Sequence, residues 1–442
     1  MSKWGRITAR EILDSRGNPT VEVEITADDG RSVRASVPSG ASKGAHEALE
    51  LRDGESNRFL GSGVTKACRA INEKIGPALK TIDPVELPKV DEQLIVMDGT
   101  ANKARLGANT TLAVSLAAAK WGALLRGRPV YKHLADLYGN SRLKIPTPML
   151  NFINGGRHAN NGIQIQEFMV VPGAKESFRE ALREAVEIFQ HLKKILHDKK
   201  DSTSVGDEGG FAPRELEGPL EAMELILAAA DEAGYKNKTK LALDLAASEF
   251  YSERGYLLHH ERAPLTFEEM TIELKEWCRR FPLVSLEDPL SQDDWAGWAH
   301  LTREFRSLTT AAGNEAPPLL VGDDIFVTNP ERLERGIKSK TATAILIKPN
   351  QIGTVTETAN VVAMARENGY ATIASHRSGE TEDPVLAHVA VGLGTDGIKT
   401  GSVSRSERLA KYNELLRIEE ELGPGSYAGL EALTKIRAAV KL

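Results

Sequence analysis

Residues 319–348 open with Leu319-Leu-Val-Gly-Asp323 and close with Ala344-Ile-Leu-Ile-Lys348, with a helical segment between. Each short apolar run stops at a charged side chain. The same pattern recurs at Leu241-Ala-Leu-Asp244, Val284-Ser-Leu-Glu287 and Ile373-Ala-Ser-His376-Arg377. Working outward, eight strand-like runs fall at 148–153, 165–171, 240–245, 283–287, 319–323, 344–348, 371–375 and 397–400, separated by helical stretches. This alternation predicts an α/β chain whose larger part is a (β/α)8-type barrel. In such a barrel the C-terminal ends of the strands surround one pocket, so residues distant in sequence converge. One helix is expected over 175–199, with Phe178, Leu182, Val186, Phe189, Leu192 and Leu196 on its buried face and Ser177 and Glu180 as a capping box.

The strand-end residues have a chemical logic. Asp244, Glu287 and Asp323 are oxygen donors on successive strands, the ligand type that a hard cation such as Mg²⁺ requires. Lys348 ends the next strand. As a general base it must be neutral, which means lowering its free pKa by about three units, or roughly 4 kcal/mol. Divalent cations and a second lysine, Lys399 in Gly397-Ile-Lys-Thr-Gly401, can supply that repulsion. The loops add Asn154-Gly-Gly-Arg-His158, Ile165-Gln166-Glu167 and the turn Gly206-Asp-Glu-Gly-Gly210. The glycines of that turn predict close backbone approach around Glu208, whose carboxyl could serve as an acid.

The first third reads differently. Val21, Val23 and Ile25 alternate with Glu22 and Glu24, and a turn at Asp28-Asp-Gly30 leads to a second strand over 32–37. Residues 109–137 form an Ala/Leu-rich helical stretch that ends near Gly139. The expected division is an α+β domain over 1–142 and the barrel over 143–442. Of the 442 residues, 41% are hydrophobic, enough for a buried core. The 56 Lys and Arg against 62 Asp and Glu give a net charge of −6, which argues against direct nucleic-acid binding or membrane association. Cys68 and Cys278 are too few for a disulfide framework. No signal-peptide core or membrane-length apolar run stands out, so a cytoplasmic protein is expected. Gly392-Leu-Gly-Thr-Asp-Gly397 matches the dinucleotide-binding pattern, but it lies between a helix and a strand in the wrong order.

Taken together, these blocks resemble the enolase family. The resemblance runs from Asp14-Ser-Arg-Gly-Asn-Pro-Thr20 to Arg417-Ile-Glu-Glu-Glu421 and is most specific at Ser39-Gly-Ala-Ser42, Gly206–Gly210, Ser285-Leu-Glu-Asp-Pro289, Ile347-Lys-Pro-Asn-Gln-Ile-Gly353 and Ser375-His-Arg-Ser-Gly-Glu-Thr-Glu-Asp383. It implies a barrel with an early antiparallel strand, and a Mg²⁺-dependent lyase interconverting 2-phospho-D-glycerate and phosphoenolpyruvate in glycolysis and gluconeogenesis. It implies two Mg²⁺ per site: one on Asp244, Glu287 and Asp323, a second held with help from Ser42. Lys348 would take the C2 proton. Glu208, supported by Glu167, would protonate the departing hydroxyl. Lys399, Arg377, Ser378, Gln166 and Ser42 would bind substrate, and His158 and His376 would line the closed site. A homodimer, or an octamer built as a tetramer of dimers, is implied, with Arg10, Arg16 and Glu407 as candidate interface charges. Family members also bind plasminogen or RNA-degradation complexes, which would add a secondary surface role and a cell-surface fraction. Three positions depart from the family pattern: Lys43, Ser402-Val-Ser404 and His388.

Overall fold

The computed structural model describes residues 3–40, 44–159, 161–258, 263–306, 308 and 317–434. Ser42 and Lys43 lie outside the described residues. Near the N-terminus, β1 (Arg6–Leu13), β2 (Pro19–Thr26) and β3 (Ser32–Ser36) form an antiparallel sheet in that order. The alternation in β2 works as its sequence implies. Val21, Val23 and Ile25 are fully buried, while Glu22 and Glu24 turn outward to Arg10, and Glu24 also to Arg34. The hairpin matches the sequence reading; β1 is an additional strand. The expected long helical stretch divides into Ala108–Leu125 and Val130–Tyr138, because Gly127 takes a positive φ and Pro129 precedes the second helix. Helix Ala108–Leu125 is buried along almost its whole length, its alanines allowing close contact with β2 and β3.

The barrel comprises β4 (Thr147–Asn154), β5 (Glu167–Val171), β6 (Lys240–Asp244), β7 (Leu283–Glu287), β8 (Leu319–Gly322), β9 (Ala344–Ile347), β10 (Ala371–Ser375) and β11 (Gly397–Lys399). The strands close in chain order, with β11 returning to pair with β4. All neighbours are parallel except that β5 is antiparallel to both β4 and β6. This is the expected fold class, including the reversed early strand. Met149, Met169, Val284, Val321, Leu346 and Ile373 are among the side chains filling the barrel, with Leu433 packed among them. A second, larger core lies between the strands and their helices and continues into the N-terminal sheet.

Helix Phe178–Asp198 shows how local chemistry adjusts a pattern. Ser177 accepts from the backbone N–H of Glu180 at 3.1 Å, as a capping residue should. The buried stripe, however, runs through Ala181, Glu184, Ala185 and Ile188, leaving Val186 38% exposed. Glu184 is drawn inward because its two oxygens accept from the N–H groups of Gly173 (2.9 Å) and Ala174 (3.0 Å). Both cysteines are free and buried, and burial pushes their thiols up to about 11 for Cys68 and about 12 for Cys278. Among the described residues, no helix is long and apolar enough to cross a membrane.

Candidate active site

The reversed strand brings the start of β5 to the same end of the barrel as the finish of its neighbours. Asn154 pairs in register with Glu167, Glu167 with Asp244, and Asp244 with Glu287. Ser375 is level with Lys399 on the other side. Asp323, Lys348 and His376 each follow directly after the last residue of β8, β9 and β10. A cleft of about 480 Å³ opens at this end, and Gly40, His158, Gln166, Glu167, Glu208, Asp244, Asp323, Lys348, His376, Arg377, Ser378 and Lys399 all line it. Glu287 is buried immediately beside it. The predicted site residues, Ser42 aside, therefore converge.

The two lysines divide the three predicted cation ligands between them. Lys399 Nζ lies 2.9 Å from Asp244 Oδ2, 2.8 Å from Glu287 Oε1 and 3.2 Å from Glu167 Oε1. Lys348 Nζ pairs closely with Asp323 Oδ2. Asp323 thus faces a different ammonium from the other two acids, because each buried carboxylate turns to the nearest positive charge. Gln351 supports Asp323 through Nε2 to Oδ1 at 3.1 Å, and Gln166 Nε2 donates to Asp244 Oδ2 at 3.3 Å. The low pKa required of Lys348 as a base calls on divalent cations beside it; the side chains by themselves act the other way. Burial favours the neutral amine, and Arg377 and Lys399 act the same way, but the surrounding carboxylates, Asp323 foremost and then Glu287, together raise Lys348 above its ordinary value. Lys399 is raised well above its own, since Asp244, Glu167 and Glu287 together overcome burial.

The acid side is built around Glu208. Its oxygen Oε2 accepts from Asn151 Nδ2 at 3.2 Å and lies 3.6 Å from His158 Nδ1 and 3.5 Å from His376 Nε2. The glycines of the 206–210 turn are required by crowding. A Cβ on Gly206 would lie 2.6 Å from the His158 carbonyl oxygen, and one on Gly210 would lie 2.8 Å from Asn154 Oδ1. Burial and the neighbouring Glu208 charge raise Glu167 well above the usual carboxylate range. Burial acts the same way on Glu208, but His158 and His376 overcome it and hold Glu208 well below. Of the two, Glu167 is the one whose protonation this arrangement favours, and the sequence reading pairs it with Glu208 as the support of the acid. Burial pushes His376 down to about 4. The Ser402–Ser404 departure bears on this turn directly: Ser404 Oγ donates to the Gly209 carbonyl at 2.6 Å.

Arg377 and Ser378 are both buried at the cleft. The Arg377 guanidinium forms a two-point pair with Glu47, at 2.9 Å from Nη1 to Oε2 and 3.1 Å from Nη2 to Oε1. Glu47 also accepts from the Gly44 N–H at 2.9 Å. The N-terminal domain reaches the site here, with Ser39 exchanging backbone hydrogen bonds with Gly379 at 2.8 and 2.9 Å. Behind these residues lies Arg408, fully buried. Neither Glu47 nor Arg408 ends a strand or sits in a glycine-rich turn, so no local sequence signal singles them out. Asp288 does carry one, since it adjoins Glu287, and it accepts from the N–H groups of Asp323 (2.9 Å) and Asp324 (2.8 Å). Away from the cleft, the candidate interface charges have partners within the chain: Arg10 with Glu22, Arg16 with the Gly40 carbonyl, Glu407 with Arg405. His388 Nε2 lies 3.2 Å from Glu414 Oε1.

The donor set suits a hard divalent cation. Among the described residues, Asp288, Asp323 and Asp324 bring ligand oxygens within 4.8 Å of one another, and so do His158, Glu167 and Glu208 with theirs. Glu167 Oε2 and Gln166 Oε1 are buried without a hydrogen-bond partner among the described residues. Burial and the Asp323 charge push Asp324 up to about 7, and burial with Asp244 raises Glu287 well above its usual range. This excess of buried negative charge is what a divalent ion relieves.

Two sequence models of protein domains match the chain. One, described as the enolase N-terminal domain, matches residues 5–134; the other, described as the enolase C-terminal TIM barrel domain, matches residues 142–436.

Proposed function

The chain belongs to the enolase family and is an enolase-superfamily lyase; from that premise we propose that it interconverts 2-phospho-D-glycerate and phosphoenolpyruvate. The observation that carries the reading is the presence of Lys348, Glu208 and the Arg377–Ser378 pair around one cleft. A phosphorylated hydroxy acid needs all three: a base for the carbon acid, an acid for the hydroxyl, and a phosphate anchor. Arg377 and Ser378 bind the phosphate, which means that the substrate anion must share or displace the Glu47 carboxylate. Lys399 and Gln166 face the substrate carboxylate. Lys348 Nζ takes the C2 proton, the C2 electron pair becomes the C2–C3 double bond, and the C3–O bond breaks. Glu208 delivers a proton to the leaving hydroxyl, which departs as water. Glu167 supplies the proton that the pair holds. His158 and His376 close the wall around the leaving oxygen and exclude other water.

Asp244, Glu287 and Asp323 would hold one Mg²⁺, and Ser42 would help to hold a second. When bound, such ions supply positive charge that stabilises the substrate carboxylate as it gains electron density. The same family reading proposes a cytoplasmic glycolytic enzyme that assembles as a dimer or a tetramer of dimers, with surface binding of other macromolecules secondary. The test is absorbance growth at the phosphoenolpyruvate band when 2-phosphoglycerate and Mg²⁺ are supplied. Folded protein that gives no signal with excess Mg²⁺, yet turns over a hydroxy acid lacking phosphate, would overturn the assignment. Sedimentation showing monomer alone would overturn the assembly.

A further inference from the structure

Arg408 stands on helix Ser406–Leu422, immediately behind the loop that carries His376, Arg377 and Ser378. Its guanidinium engages four acceptors. Nη1 donates to His376 Nδ1 at 2.7 Å and to the Arg377 carbonyl at 2.7 Å; Nη2 donates to the Asp207 carbonyl at 2.9 Å and to the Ser378 carbonyl at 2.6 Å. The site is shaped for it. Gly401 sits at φ +85°, and a Cβ there would lie 2.7 Å from Arg408 Cδ and 2.8 Å from the Glu208 carbonyl oxygen.

An arginine has no acceptor and keeps its proton in a protein. A short contact from its nitrogen to an imidazole nitrogen therefore makes that nitrogen the acceptor. His376 Nδ1 is then unprotonated, and the ring hydrogen belongs on Nε2. That atom is buried, has no hydrogen-bond partner among the described residues, and lies 3.5 Å from Glu208 Oε2. We infer that Arg408 is a positioning residue: it fixes His376 as the Nε2–H tautomer, so that a neutral donor points at the oxygen that leaves with the Glu208 proton. The inference rests on the dehydration proposed above. Burial, with Arg408 adding to it and Glu208 and Glu380 opposing, lowers the His376 pKa, in keeping with a neutral ring. A lysine at 408 would present a point charge with three donors, which cannot serve four acceptors.

The test is ¹⁵N NMR of histidine-labelled full-length protein with Mg²⁺ at pH 7, the His376 signals being identified by their loss in H376Q. The expected pattern is a protonated Nε2 and an unprotonated Nδ1. In R408Q and R408K this pattern gives way to a tautomer mixture or a doubly protonated ring. Their kcat is expected to fall about tenfold to a hundredfold, the usual cost of removing an orienting partner. A wild-type spectrum with the proton on Nδ1 would overturn the inference even if neither variant folds. So would a slow R408Q whose His376 pattern matches wild type, because Arg408 would then be structural only. The NMR readout does not depend on turnover, so an Nε2–H ring in a protein inactive toward 2-phosphoglycerate would refute the substrate and leave the tautomer assignment standing.

Discussion

Lys348 shows how one contact sets the condition for a residue's role. Asp323 holds it as an ammonium, above its ordinary range. It can accept a proton only when Asp323 finds another counter-charge, so the carboxylate that quiets the base is also the one expected to bind cation. Replacing Lys348 by Ala should lower exchange of the substrate's C2 proton with solvent deuterium by about 10²- to 10⁴-fold, the usual contribution of a general base. Exchange at the wild-type rate would reassign the base. The acid-side residues follow the same economy of placement. Glu208 is crowded by glycines on its own turn, and each of those glycines admits a specific neighbour: the His158 carbonyl at Gly206, Asn154 at Gly210.

At the scale of elements, Asp91 joins the two parts of the chain. It lies fully buried on helix Leu87–Asp98 and accepts from the N–H (2.9 Å) and hydroxyl (2.6 Å) of Thr356, at the start of helix Val355–Glu367. Burial, only partly offset by these bonds, pushes Asp91 up from 3.8 to about 6. The folded state therefore holds the proton more tightly than the unfolded one. The stability this gives is fully present below the unfolded value and is lost as pH rises through about 6. D91N has no such loss. In urea unfolding, its stability relative to wild type should improve by about 2 kcal/mol between pH 4 and pH 7. A pH-independent difference would remove Asp91 as the titrating group. Elements were also where the sequence was most legible. Six of the barrel strands stop at or just before a side chain whose chemistry marks the end, namely Asp244, Glu287, Asp323, Lys348, His376 and Lys399, so those strands and the converging residues could be read together. β1 could not be read in this way, because its residues are mostly half-buried and its alternation is blurred. Glu47 and Arg408 escaped because their roles depend on which loop the fold packs against them, and the spacing of residues along the chain does not encode that. The balance of charge around Lys348 was not legible for a related reason: the sequence names the charged groups but not which of them is nearest.

For the whole molecule, the net charge of −6 understates how unevenly charge is placed. Glu167, Glu208, Asp244, Glu287 and Asp323 are all buried around one cleft. A cation that binds only the folded arrangement must stabilise it. Mg²⁺ at about a hundred times its dissociation constant should add about 2.7 kcal/mol, raising Tm, and chelation should reverse the gain. A Tm indifferent to Mg²⁺ would contradict the proposed ligand set. The reversed strand has a consequence in time as well as in space. Twelve residues separate β4 from β5, whereas every other pair of consecutive barrel strands is separated by at least 21, and the β11–β4 seam joins the two ends of the barrel. Antiparallel neighbours on a short connection need no crossover helix and close the smallest loop. The acid side of the cleft, anchored on Asn151, Asn154 and Glu167, is thus assembled from nearby chain and is expected to gain hydrogen-exchange protection early in refolding. Lys399, which stands on β11 and reaches Asp244 and Glu287, is expected to join them only when the ring shuts.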